Sequence, residues 1–135
     1  MSKTLTFALM DAPFENARST TALRLIDLAV KRGYNVNVFA YEGAVYLPFA
    51  KQAQHANAVH GRSVEEENHP LPRAWIAAVM KEAAAQGTKV DWVNCGLCVD
   101  ERGAAEAIDG VHRGSPVDFW NFSQNSQNTL VIGTK

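Results

Sequence analysis

Cys95-Gly96-Leu97-Cys98 holds both cysteines of the chain and follows directly on an apolar run, Val90-Asp91-Trp92-Val93. A cysteine where a strand passes into a helix-compatible segment faces unpaired backbone N–H groups and the positive end of the helix dipole. Both favour thiolate over thiol. The thiolate is the nucleophile and the metal ligand, so Cys-x-x-Cys spacing admits thiol–disulfide exchange, sulfur handling or metal binding. The alternative without chemistry is a pair of small buried apolar side chains, since free cysteine is among the most buried residue types.

The elements that must position these thiols alternate along the chain. Residues 5–10 form a short apolar run that stops at Asp11-Ala12-Pro13, as a buried strand followed by a turn would. Ala22, Leu25, Ile26, Ala29 and Val30 recur at helical spacing after the candidate caps Asn16 and 19–21, and Lys31-Arg32-Gly33 ends that helix. The alternating stretch 34–40 reads as a second strand, which completes a right-handed βαβ unit with parallel strands. A second helix is expected over 47–56, a polar loop over 57–72 and a third helix over 73–86, with Trp75, Ile76, Val79, Met80 and Ala83 inward and Gly87 beyond its end. Residues 89–94 read as the third strand and 99–108 as a short helix ended by Gly110. A brief strand near Val111, a helix from Pro116 through Phe122 and a last strand over 129–132 complete the pattern. The expectation is one α/β domain spanning residues 1–135, with a three-layer, mostly parallel five-stranded sheet flanked by helices, of flavodoxin or Rossmann-like type.

That architecture places chemistry at the carboxyl ends of the strands, where open α/β sheets form their ligand crevice. Cys95 follows the third strand. Asp11 and Pro13 follow the first, and Tyr41, Glu42 and Gly43 the second. Carboxylates at Asp11, Glu42 and Asp100 would raise the pKa of a thiol close to them, whereas Arg102 would lower it.

Composition limits the remaining classes. The chain has 135 residues, 47% of them hydrophobic and 20% charged, and a net charge of -1, which suits one core and offers no general attraction to nucleic acid or an anionic membrane. The apolar run near the start is too short for a signal-peptide core and nothing reaches the length of a membrane span, so the expected location is cytoplasmic. No Gly-x-x-x-x-Gly-Lys or Gly-x-Gly-x-x-Gly pattern calls for a nucleotide, and no cofactor is expected. His55, His60, His69 and His112 could add ligands to a zinc site but lack ligand spacing. Glu65-Glu66-Glu67 reads as a solvated run, and Phe119, Trp120 and Phe122 as a packing or subunit-interface cluster.

The order of elements, the stretch Arg32-Gly33-Tyr34-x-Val36-x-Val38-Phe39, the Glu42-Gly43 that follows, and Cys95-Gly-Leu-Cys98-x-x-x-Arg102-Gly103 together resemble the DsrE/DsrF-like family, which includes the TusD-type sulfur-relay proteins. The resemblance covers nearly the whole chain, and the cysteine segment is its specific part. It implies a homo-oligomer, trimeric or hexameric, that carries sulfane sulfur as a cysteine persulfide and exchanges it with a donor or acceptor protein such as a rhodanese-like or TusA-like carrier. Counting back from Arg102-Gly103 at the family's spacing implies Cys95 as the sulfur-bearing residue and Cys98 as a second, resolving thiol; many sulfur-relay members have a single cysteine here. Asp11, Glu42, Gly43, Arg102 and Gly103 are the expected supporting residues. A thiol–disulfide oxidoreductase and a non-catalytic oligomeric subunit are the rival readings.

Overall fold

A computed structural model describes residues 3–56, 58–65 and 71–134. Its strands are β1 (Thr4–Leu9), β2 (Asn35–Ala40), β3 (Val90–Cys95), β4 (Val111–Gly114) and β5 (Asn128–Ile132), and its α-helices are α1 (Ala17–Lys31), α2 (Pro72–Gln86), α3 (Gly96–Arg102) and α4 (Pro116–Gln124). The strands form one sheet in the order β4-β3-β2-β1-β5, and every neighbouring pair is parallel. Leu9 pairs with Ala40, Ala40 with Asn94 and Cys95 with Gly114, so the strand ends from β1 to β4 reach one common edge.

Side-chain alternation sends successive strand residues to opposite faces of the sheet. Phe7, Val36, Val38 and Trp92 lie in a core with Ile26, Val30, Ile76 and Val79 of α1 and α2. Phe39, Val93 and Cys95 face the other way, into a smaller core with Val45, Cys98, Val99 and Ala104, against which Phe119 and Phe122 of α4 pack. Trp92 is fully buried, and its indole N–H donates to Asn94, whose side-chain amide donates in turn to the Val45 carbonyl 3.2 Å away. This chain of bonds ties β3 to the segment that follows β2.

Helix ends follow the expected chemistry. The Asn16 side chain accepts from the Arg18 N–H, α2 opens on Pro72, and Gly87 closes it at φ 82. Ser115 and Asp118 form a reciprocal capping box at the start of α4.

The structure corrects three expectations. No helix forms over 47–56: a short 3-10 turn over Glu42–Tyr46 comes first, and the chain then runs irregularly. The helix expected over 99–108 instead starts at Gly96 and stops at Gly103, whose φ is 65. These two departures share a cause. Ala50 donates to the Glu106 carbonyl, Ile108 donates to the Pro48 carbonyl, and Phe49 bridges Ala107, so both segments satisfy their backbone groups with each other. Finally, Leu25 is exposed at the surface of α1, and Leu23 and Ser19 take the inward positions beside Ala22 and Ile26.

Candidate functional site

Cys95 is the last residue of β3 and the N-cap of α3, so one peptide carries it from sheet to helix, and its side chain caps no backbone N–H. Cys98 stands one turn later on α3, and the two thiols share the smaller core. Both are free and buried, with Cys95 4% and Cys98 6% exposed. The intervening Leu97 is 74% exposed, which marks the outer side of the helix. Sulfur exchange needs an accessible thiol; here α3 has turned both sulfurs toward the core.

The backbone N–H of Glu42 donates to the Cys98 Sγ at 3.1 Å. Burial pushes the Cys98 thiol pKa up, and the neighbouring Cys95 adds to the rise; the Glu42 N–H and the Arg102 cation oppose it. Cys98 therefore holds its proton to higher pH than an ordinary cysteine.

Asp11, Glu42, Gly43 and Arg102 lie together. With Tyr46, Glu15 and others they line a cavity of about 310 Å³ beside the strand ends. The thiols do not line it. Glu42 and Arg102 join the two places, one through its N–H on Cys98 and the other through its charge. Gly43 is required by close approach, because a Cβ there would sit 3.0 Å from the Ala12 Cβ and 3.1 Å from the Ala12 nitrogen. The Tyr46 hydroxyl donates to the Arg102 carbonyl and so ties the end of α3 to the turn after β2. Gly103 serves the termination of α3 and lies outside the cavity. Asp11 is paired with Arg18 at 2.6 Å, so its charge is balanced before it reaches any thiol.

Sequence reasoning missed Arg113. It lies on β4 opposite Asn94, and its guanidinium reaches across to α3, donating to both carboxylate oxygens of Asp100 at 2.9 and 2.8 Å and to the Gly96 carbonyl at 3.1 Å. The fork holds the Asp100 carboxyl below its ordinary range. Only the register of β4 against β3 brings these groups together, and no local pattern signals that register. Among the described residues no group of three or more His, Cys, Asp or Glu side chains could hold a metal ion; His69, named above as a candidate ligand, and Glu66 and Glu67 of the acidic run lie outside them. No described helix is long and apolar enough to cross a membrane.

An all-parallel five-stranded α/β protein with paired thiols at the end of its third strand is the class these observations define. A family model for the DsrE/DsrF-like family matches residues 3–132, and the chain belongs to that family. Membership suggests a sulfur-relay role at the level of the family. An uncharacterised protein of Methanopyrus kandleri is 27% identical over 130 residues, covering 95% of this chain and 93% of its own. Among solved structures, the YchN protein of E. coli superimposes with a TM-score of 0.65 at 22% identity, covering 97% of this chain and 99% of that one. A conserved protein of unknown function from Bacteroides thetaiotaomicron does so with a TM-score of 0.57 at 14% identity, covering 96% and 95%. Both structures share the fold.

Proposed function

We propose that this protein accepts and passes on sulfane sulfur through a persulfide on Cys95, with Cys98 as the thiol that serves it. The observation that carries this reading is the pair of free thiols, Cys95 at the end of β3 and Cys98 one turn into α3, packed in one small core. In the loading step the Cys95 thiolate attacks the outer sulfur of a donor persulfide R–S–SH. A new S–S bond forms on Cys95, the donor's S–S bond breaks, and the electron pair leaves with the donor as R–S⁻. Unloading is the same exchange with an acceptor thiolate, and no net oxidant or reductant is consumed.

Burial of both sulfurs requires that α3 swing out or that a partner lift it before an incoming thiolate can reach Cys95. The helix is suited to this, being seven residues long with few backbone bonds of its own. The partner is another sulfur carrier, rhodanese-like or TusA-like, and the setting is cytoplasmic. We place the chain in a homo-oligomer, a trimer or hexamer, supported by the exposed apolar side chains Val117 and Trp120 on α4 and Val131 on β5.

Incubation with thiosulfate and a rhodanese, or with polysulfide, followed by intact mass measurement tests the proposal. One added sulfur, about 32 Da, that disappears in Cys95→Ala and persists in Cys98→Ala is the expected result. No adduct with either donor overturns it. The adjacent thiols also favour a second reading, a disulfide oxidoreductase: Cys98 would attack the Cys95 sulfur of a persulfide, release HS⁻ and leave a disulfide for an external dithiol to reduce. Catalysis of insulin reduction by dithiothreitol is the measurement for that reading.

A further inference from the structure

We propose that Arg113 is a positioning residue for Cys95, its guanidinium pinning the first turn of α3 against β4 and bringing positive charge to the strand-to-helix junction that carries Cys95. The inference rests on the reading of Cys95 as the sulfur-bearing residue and goes beyond it by naming what holds that residue in place. β4 pairs with β3 so that Cys95 faces Gly114 and Asn94 faces Arg113, one residue back. From there the arginine spans the strand-to-helix junction, bonded to Gly96 next to Cys95 in sequence and to Asp100 five residues on. Gly96 makes room for it: a Cβ there would lie 3.2 Å from Nη2. The planar five-donor fork is the only side chain that can grip a carboxylate with two bonds and still reach a carbonyl, which a lysine cannot copy.

The charged and titratable groups around Cys95 come from every element packed there. α3 supplies Cys98, Asp100 and Arg102; α4 supplies Asp118, whose carboxylate is engaged by the Ser115 N–H; the segment after β2 supplies Tyr41 and Tyr46. Of the two cations, Arg102 sits one turn beyond Cys98 on α3, and Arg113 approaches the Cys95–Gly96 junction from β4. Asp100 partly cancels the charge of Arg113, so the two have opposite expected effects on the sulfur although they share one clamp.

Ultraviolet thiolate absorbance against pH, in full-length protein carrying Cys98→Ala so that Cys95 is the only thiol, tests this. The tyrosine background is subtracted with the variant lacking both cysteines. Arg113→Gln should raise the Cys95 titration midpoint, because it removes the cation at the junction and leaves the Asp100 carboxylate uncompensated. Arg113→Lys should restore part of that shift, and Asp100→Asn should leave the midpoint in place or lower it. An unchanged midpoint in Arg113→Gln overturns the proposal, and so does an equal rise in Asp100→Asn, which would mean that only the docking of α3 matters. Should Arg113→Gln fail to fold, Arg113→Lys and Asp100→Asn decide by the sign of their difference. No sulfur donor is present in the measurement, so failure of the persulfide reading would leave its outcome readable.

Discussion

Glu42 points its backbone N–H at the Cys98 Sγ from a left-handed conformation, at φ 51 and a distance of 3.1 Å. A non-glycine residue in this region is strained by roughly 1–2 kcal/mol because Cβ crowds the carbonyl. The glutamate side chain is exposed, so the backbone direction is what the thiol uses. Glu42→Gly keeps the N–H and relieves the strain. The expected outcome is a stabilisation of up to about 1 kcal/mol, after the entropy cost of glycine, in urea unfolding. The Cys98 titration should not move. A downward or upward shift of that titration would mean that the carboxylate, not the N–H, acts on the sulfur.

The raised pKa of Cys98 has a consequence for stability. Unfolded, the thiol ionises near its ordinary value of 9.0; folded, it does so at higher pH. The folded state therefore binds more protons in the window between the two values, and the slope of stability against pH is negative there. The contribution is fully present below pH 9.0 and is lost as pH rises through the folded value. Denaturation midpoints measured from pH 7 upward should fall more steeply for the parent protein than for Cys98→Ser, whose hydroxyl does not titrate in this range. Parallel curves would contradict the assignment.

At Gly114 no side chain fits. A Cβ there would lie 2.3 Å from an Asp118 carboxylate oxygen and 2.5 Å from Val93 Cγ1. One contact breaks the α4 capping box and the other presses on the core around Cys95, so Gly114→Ala should cost about 2–4 kcal/mol, the sum of overpacking and cap loss. Urea unfolding checks this. A cost below about 1 kcal/mol would mean that β4 can shift freely against β3.

These positions separate what was legible in the residues from what was not. Strand β2 is written in the alternation of Val36 and Val38 with Asn35 and Asn37, and the end of α1 in Lys31-Arg32-Gly33, because local patterning decides both. The strand-end positions of Asp11, Glu42 and Gly43 are legible too, and these residues line one cavity with Arg102, yet Cys95 at the same edge turns away from it. Leu23 and Leu25 both fit a helical stripe, and only the packing of α1 against the sheet and α2 chooses between them. The segments 47–56 and 99–108 are each helix-compatible alone, yet Pro48 and Gly103 let them pair across nearly sixty residues of chain. Arg113 belongs to the same class of non-local facts, as does the inward turn of both thiols. Local sequence chemistry locates Cys95 at the mouth of a helix; the sheet register decides what faces it.

The exposed face of α4 gives the last prediction. Val117 and Trp120 are three residues apart on one side of the helix, each 65% exposed, while Phe119 turns inward to stack on Phe39 at 5.7 Å. A tryptophan left in water beside a valine forfeits the hydrophobic gain of burial, worth about 25 cal/mol per Å² of apolar surface, and a second copy of the chain is the partner that the proposed homo-oligomer supplies. The capping box and Pro116 fix the start of α4 independently of these two side chains, so replacing them should leave the fold intact. In Val117→Ser with Trp120→Ser, light-scattering mass at micromolar concentration should fall to that of a smaller assembly while far-ultraviolet circular dichroism stays unchanged. An assembly whose mass is the same in parent and variant would place the contact on another face, and a parent that is already monomeric would remove the homo-oligomer from the proposed function.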